Sequence, residues 1–261
     1  MLKKRLIGVI TVKNNWAVQS FGYRRYLPLG NPVILAENLD RWGVDEILIH
    51  SIDRSVLGSG PDLEMLDRIA QLGLGTPLIY GGGIRNVEDG VQVVQRGADR
   101  ITVDALISEQ LSIVEHLSDR LGAQAVIASF PVSIKENALM LYDYKKRIEK
   151  PWPNLLTETI NSGIVSEVLL NDWLNDGHQE AFNSAIVDEF PSKNVSLIPF
   201  GGISNKNQIL KLLAYPIVSA IAIGNFLNYR ELAVQHYLNE LMSPILRKSS
   251  YAGKHSLLKN V

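Results

Sequence analysis

Two stretches decide the fold: "PLIYGGGIRN", residues 77–86, and "SLIPFGGISN", residues 196–205. Each is a short apolar run, then a glycine pair, then an asparagine that opens a segment of helical period. A run that is apolar on both faces and feeds a helix reads as a strand of a parallel sheet. The match extends outward. "VDEILIHSIDRS" (44–55) pairs with "VSEVLLNDWLND" (165–176), so Gly82 corresponds to Gly201 and Glu46 to Glu167. A half-chain repeat of strand–helix units predicts two similar half-barrels fused into one.

The rest of the chain fits that reading. Apolar runs lie at 5–12, 46–51, 77–80, 100–103, 125–130, 167–171, 197–200 and 220–223, with amphipathic stretches such as "VILAENLDRWG" and "NKNQILKLLAY" between them. Eight strand–helix units in 261 residues, near the about 250 typical of the architecture, predict a (β/α)8 TIM barrel. We expect a single barrel over 1–242, with halves at about 1–121 and 122–242. "SIKENALMLYDYKKRIEKPW" (133–152) has no counterpart in the first half and is expected to be an inserted hairpin. Residues 243–261 are expected to form a basic tail following the eighth helix. The segment "NNWAVQSFGYRRYLPLGNP" (14–32) reads as a loop over the barrel mouth, rich in aromatic residues and arginine, a composition typical of binding surfaces.

Composition narrows the function classes. The net charge of −1 gives no field drawing the chain to nucleic acid or an anionic membrane. No cysteine is present, which removes disulfides, thiol nucleophiles and thiolate metal sites. No histidine cluster suggests a metal site, and no cofactor is implied. No apolar run approaches the roughly 20 residues of a membrane span. The N-terminal run is interrupted by Lys13 and reads as a first strand instead of a signal peptide. A cytoplasmic protein is the expectation.

The glycine pairs Gly82-Gly83 and Gly201-Gly202 each follow a strand and precede a helix start. Glycine lets backbone N–H groups crowd an anion, and a helix N-terminus favours one. Two phosphate cradles, one per half, would suit a ligand with phosphate at both ends. The alternative is that these are tight turns packing strand against helix, and the residues leave both open.

"MLKKRLIGVITVKNN", "GNPVILAENLDRWGVDEILIHSID", "TPLIYGGGIRNVEDGVQVVQRGADRITVDAL", "SEVLLNDWLNDG" and "IPFGGISN" together resemble the cyclase subunit of imidazole glycerol phosphate synthase. The resemblance covers most of the chain. It implies a half-barrel duplication with a phosphate site in each half. It also implies a glutaminase subunit docked at the barrel bottom, and ammonia passing through the barrel to aspartates at the ends of the first and fifth strands. By this resemblance those acid and base positions are Thr11 and Phe130, and a ring at position 130 would fill the chamber and bear on whether the passage is closed. Ser51 stands where the second strand carries an aspartate, Gln19 where the first loop carries a lysine, and Asp104-Ala105 where the first cradle carries Asn-Thr. His50, Asp53 and Asp176 are the candidate substitutes. Asp176-Gly177 and Gly224-Asn225 match the second cradle. Arg5, Glu46, Arg100 and Glu167 match the charged ring that guards the ammonia entrance, and Asp99 matches a partner-contacting position.

The resemblance leaves three expectations. One is a barrel that pairs with a glutaminase and conducts ammonia, similar to proteins found with surface-polysaccharide enzymes. There an ATP-dependent amidotransferase uses the ammonia to build an amidino group on a sugar. The second is an active cyclase or lyase using relocated residues. The third is a non-catalytic scaffold.

Overall fold

The computed structural model describes residues 3–228. In chain order its elements are β1 (Arg5–Lys13), β2 (Trp16–Phe21), β3 (Arg25–Gly30), α1 (Pro32–Trp42), β4 (Glu46–Ser51), α2 (Arg54–Leu57), α3 (Leu63–Ala70), β5 (Leu78–Gly81), α4 (Val87–Gln95) and β6 (Arg100–Val103). They continue with α5 (Ala105–Glu109), α6 (Leu111–Leu121), β7 (Val126–Lys135), β8 (Ala138–Asp143), β9 (Ile148–Pro151), α7 (Asn154–Asn161), β10 (Glu167–Asp172), α8 (Ala185–Asp188), β11 (Ser196–Phe200), α9 (Lys206–Leu213) and β12 (Ala220–Ile223). The expected eighth helix and the expected tail at 243–261 fall outside the described residues.

Eight strands run parallel in the order β12-β1-β4-β5-β6-β7-β10-β11. The ring closes through a parallel bridge between Leu197 and Val218, just before β12. Closure leaves no free edge in the barrel itself. The fold is the expected (β/α)8 barrel.

Strand alternation sorts the side chains into two layers. Ile7, Val9, Leu48, Ile79, Ile127, Leu169, Ile198, Phe200, Ala220 and Ala222 form the packed interior. Their neighbours, among them Ile10, Ile49, Ile101, Val126 and Leu170, face outward into a larger cluster with the helices. Because both faces are buried, the strands show no polar alternation in sequence, as the apolar runs anticipate.

The helix starts explain the repeated asparagine. Asn86 and Asn205 are the N-caps of α4 and α9, and their side chains accept from the backbone N–H of Asp89 and Gln208. Asn31 caps α1 in the same way, with Pro32 at the first helical position and Gly43 ending the helix in the left-handed conformation.

The expectation of a loop at 14–32 is corrected. β1 runs through a two-residue turn, Asn14-Asn15, into β2, with Val12 opposite Ala17 and Lys13 opposite Trp16. Both asparagines have positive φ, 51° and 63°, which is the type I′ geometry matching the twist of an antiparallel pair. β2 then pairs with β3. At residues 133–152, β7 turns through Glu136-Asn137, again with positive φ (51° and 60°), into β8 and then β9. Two antiparallel extensions thus rise from β1 and β7 and fold over the barrel mouth.

Candidate functional site

At the bottom of the barrel, the first residues of four strands form a closed ring of charges. The two Arg5 terminal nitrogens divide between Glu46, with Nη1 3.0 Å from Oε2, and Glu167. Arg100 Nη1 lies 2.6 Å from Glu167 Oε2 and 3.5 Å from Glu46 Oε1. Ser219 also donates to Glu167. Burial holds the Glu46 carboxyl above its ordinary range, against the pull of Arg5 and Arg100. At Glu167 burial pushes upward too, but Arg100, Arg5 and the Ser219 hydroxyl outweigh it and keep that carboxyl below the ordinary value. Alternation of sign lets four charges share one buried plane. Asp99 is exposed beside the ring, and its carboxylate accepts from the Leu78 N–H at 2.8 Å, so it also fixes the start of β5.

At the mouth, a cavity of about 770 Å³ lies over β1, β4, β5, β6 and β7. Its floor is made by strand ends: His50 and Ser51 of β4, Gly82 after β5, Thr102 and Asp104 at β6, and Ser129 and Pro131 of β7. Asp53 follows β4, and its carboxylate accepts from the Asn14 N–H at 2.7 Å. Asp104 accepts from the Tyr144 hydroxyl at 2.6 Å. His50 stands in register with Thr11 and Gly81. Burial lowers its pKa, with Asp104 acting in the opposite direction, and its Nδ1 is buried without a hydrogen-bond partner. The hairpins supply the walls and rim: Lys13, Asn14, Tyr23, Arg24 and Tyr26 from one, and Tyr142, Tyr144, Lys145 and Arg147 from the other.

The two hairpins meet over the other half of the mouth. Tyr142 stacks on Trp173 with ring centroids 3.8 Å apart and planes 10° from parallel. Tyr23 leans on both rings and accepts from the Asn171 amide at 2.7 Å. Trp173 is left 4% exposed. This aromatic lid closes the side over β10 and confines the open space to the side over β4–β7.

Phe130 is not in the chamber. Ile127 belongs to the interior layer, so alternation along β7 turns Ser129 and Pro131 inward and position 130 outward. Phe130 packs in the outer cluster, edge-on to Trp152 at 5.0 Å, and Trp152 in turn meets Phe190. The expectation that its ring fills the chamber or closes the passage is therefore corrected by one residue. The inward positions there carry a hydroxyl and a proline. On β1, Val9 faces inward, so Thr11 does too.

The glycine turns pack tightly against neighbouring backbone. A Cβ added at Gly82 (φ 119°) would lie 2.0 Å from the Ser51 carbonyl oxygen. A Cβ at Gly83 would lie 2.7 Å from the Gly60 carbonyl oxygen, one at Gly201 2.7 Å from that of Asp172, and one at Gly202 2.8 Å from that of Asn175. In the second half, Asn225 donates to the Ser20 carbonyl at 2.8 Å and accepts from its N–H at 3.3 Å. A Cβ at Gly177 (φ 81°) would meet the same carbonyl at 2.3 Å, while Gly22 N–H donates to Asp176 O. Gly224 accepts from Leu227 N–H. Asp176 is buried and its pKa is pushed up to about 7 by burial, partly offset by Ser20 and raised further by Asp172. Burial likewise pushes Asp172 up to about 6. Asp176 thus sits against β2, apart from the residues lining the cavity. His50 and Asp53 come together there; Asp176 does not join them.

Tyr142, Tyr144 and Arg147 are the cavity-wall residues that sequence reasoning passed over. The alternation in "LYDYKKR", 141–147, was the available signal, since period-two spacing aims Tyr142 and Tyr144 to the same side.

A closed eight-stranded barrel with its open cavity at the C-terminal ends of the strands defines a TIM-barrel protein with its cavity where such barrels usually carry their sites. The chain belongs to the histidine biosynthesis protein family, whose model matches residues 5–233. It is 28% identical to the imidazole glycerol phosphate synthase subunit HisF of Sulfurisphaera tokodaii over 87% of this chain and 91% of that one. It is 26% identical to the HisF subunit of Exiguobacterium over 90% and 92%. A Vibrio vulnificus protein with the provisional name imidazole glycerol phosphate synthase subunit hisF2 is 27% identical over 88% and 85%.

Proposed function

We propose that this chain is a divergent cyclase-like subunit. It pairs with a glutaminase at the barrel bottom and passes ammonia through the barrel to an acceptor outside histidine synthesis. The acceptor we favour is a surface-polysaccharide sugar, amidinated by a separate ATP-dependent amidotransferase. The observation that carries the reading is a contrast between the two ends. The bottom keeps a complete ring of Arg5, Glu46, Arg100 and Glu167. At the top, the inward residues of β1 and β7 are Thr11, Ser129 and Pro131, none of which exchanges a proton near neutral pH.

The test mixes the purified chain with a glutaminase subunit of the family. It measures glutamate release and, separately, turnover of the histidine-pathway cyclase substrate with ammonium salt. The expected result is stimulated glutamine hydrolysis without cyclase turnover. Absence of both complex and stimulation refutes the pairing.

One observation supports a second reading, an active lyase with relocated groups. His50, Asp53, Asp104 and Tyr144 all line one cavity, and a set of titratable groups in a cleft is a reason to look for chemistry. Turnover with ammonium salt that disappears in Asp104→Asn would establish this reading and displace the first.

A further inference from the structure

The exposed apolar side chains gather at one end of the barrel. Among the described residues, every exposed large hydrophobic except Leu72 lies at the mouth end. They sit on the two hairpins, on segments that follow strands, or in the first turn of a helix. Trp16, at the start of β2, is 58% exposed, and Leu57, on α2 after β4, is 69% exposed. Val56 beside it, Ile148 on β9 and Leu174 after β10 continue the rim. Leu72, between α3 and β5, is at the opposite end. Exposed apolar surface confined to one face marks an interaction site.

Charge is segregated in the same direction. Residues 13–30 and 133–152 together carry eight lysines and arginines against three acids, an excess of five positive charges in a chain whose net charge is −1. The small net value hides a positive mouth and a negative body. Arg24 and Arg25 are exposed and take part in none of the ion pairs among the described residues. They lie 5.9 Å and 5.1 Å from the centres of the Trp173 and Phe21 rings. Tryptophan and arginine at the centre of an apolar rim are the composition of a protein-binding hot spot. A second copy facing this surface would meet its own positive charge. An anionic bilayer would meet Glu136, Asp143 and Glu149 on the second hairpin, and a flat surface cannot fill a concave mouth.

We propose that the barrel mouth docks a second protein, an ammonia-consuming enzyme whose docking face is acidic around apolar pockets. Trp16, Leu57 and Ile148 are the anchors, and Arg24 and Arg25 align the partner by charge. The inference rests on the ammonia-conducting reading, and chemistry supplies the reason for a seal. Ammonia that reaches an open mouth meets water, is protonated near neutral pH and is no longer a nucleophile. A partner seated on the rim closes the cavity of about 770 Å³ into a chamber shared by the two proteins and excludes water from the transfer.

The chain has no cysteine, so one introduced cysteine is a unique attachment point. Ile148→Cys at the mouth and Leu72→Cys at the opposite end each receive a photo-crosslinking maleimide. Each is mixed with the glutaminase and with the purified ATP-dependent sugar amidotransferase of the same organism. The expected result is crosslinking to the amidotransferase from position 148 and not from position 72. Calorimetry gives the affinity, which the Trp16→Ser/Arg24→Gln/Arg25→Gln triple variant weakens by at least about ten-fold. Arg41→Gln, on α1 and away from the rim, leaves it unchanged. All three substituted rim residues are exposed, so the triple variant stays folded, as thermal melts verify. Glutamine-dependent sugar amidination in the same mixture reads the functional proposal separately. Amidination that proceeds without a crosslink from position 148 overturns the docking and leaves the conduit standing. A crosslink from position 148 without amidination keeps the docking and removes the sugar as acceptor. No complex, equal crosslinking from both positions, capture of a second copy of the chain, flotation on phosphatidylglycerol vesicles that the triple variant abolishes, or a triple variant that binds like the wild type overturns the proposal.

Discussion

Replacing Asp176 by asparagine should make the protein more stable at mildly alkaline pH and leave it nearly unchanged in acid. The carboxyl is buried, and its pKa stands at about 7 against an ordinary 3.8. A proton is thus bound more tightly in the folded chain than in the unfolded one. Where the native state holds the extra proton, between about pH 4 and pH 7, stability falls as pH rises. The full stabilisation is present below the unfolded value and is gone above the folded one. Each pH unit of that gap corresponds to about 1.4 kcal/mol, so burying the ionised group costs on the order of 4 kcal/mol above neutrality. Asparagine keeps the size and the hydrogen-bonding oxygen and carries no charge. Asp176→Asn should therefore exceed the wild type by up to about 4 kcal/mol near pH 8, on the order of 10 °C in melting temperature. The advantage should shrink to near zero at about pH 4. The assay is urea unfolding of both proteins by tryptophan fluorescence, from about pH 4 to pH 8.5. A stability difference that stays constant across that range, or a wild type that is the more stable at pH 8, would show that Asp176 is not a buried ionising group and refute the reasoning.

The geometry sets the outcome of three other perturbations. Phe130→Ala should cost about 3–5 kcal/mol in denaturant unfolding, because it empties an outer-layer site against Trp152. A chamber-facing ring would instead give little loss and a larger cavity at the mouth. Glu167→Ala should destabilise by about 3–5 kcal/mol by leaving Arg5 and Arg100 to share one carboxylate. Calorimetry showing a change under about 1 kcal/mol would mean the ring is well hydrated. Gly82→Ala should lower the melting temperature by several degrees, as its backbone is left-handed and the Ser51 carbonyl occupies the Cβ position. An unchanged melting curve would show that the two loops can separate.

The sequence alone determined the barrel. Apolar runs of strand length, helix-capping asparagines and the repeat around Gly82 and Gly201 are local signals, and each agrees with the others, which is what makes a fold legible. The four ring charges are named by the family resemblance, and each of them opens one of the apolar runs. The sequence did not decide which face of β7 carries position 130. When a strand is buried on both sides, no alternation of polar and apolar residues reveals its phase, and one residue of offset exchanges the inside for the outside. Only the register with β6 and β10 fixes Phe130 outward and Pro131 inward. Nor could the sequence say that residues 14–32 and 133–152 would meet. Tyr23 and Tyr142 are remote in the chain, and their edge contact at 6.2 Å exists because two hairpins rise from opposite strands of one closed ring. The ring brings the cations of both hairpins over the carboxylates of the strand ends, and that juxtaposition belongs to the tertiary structure alone.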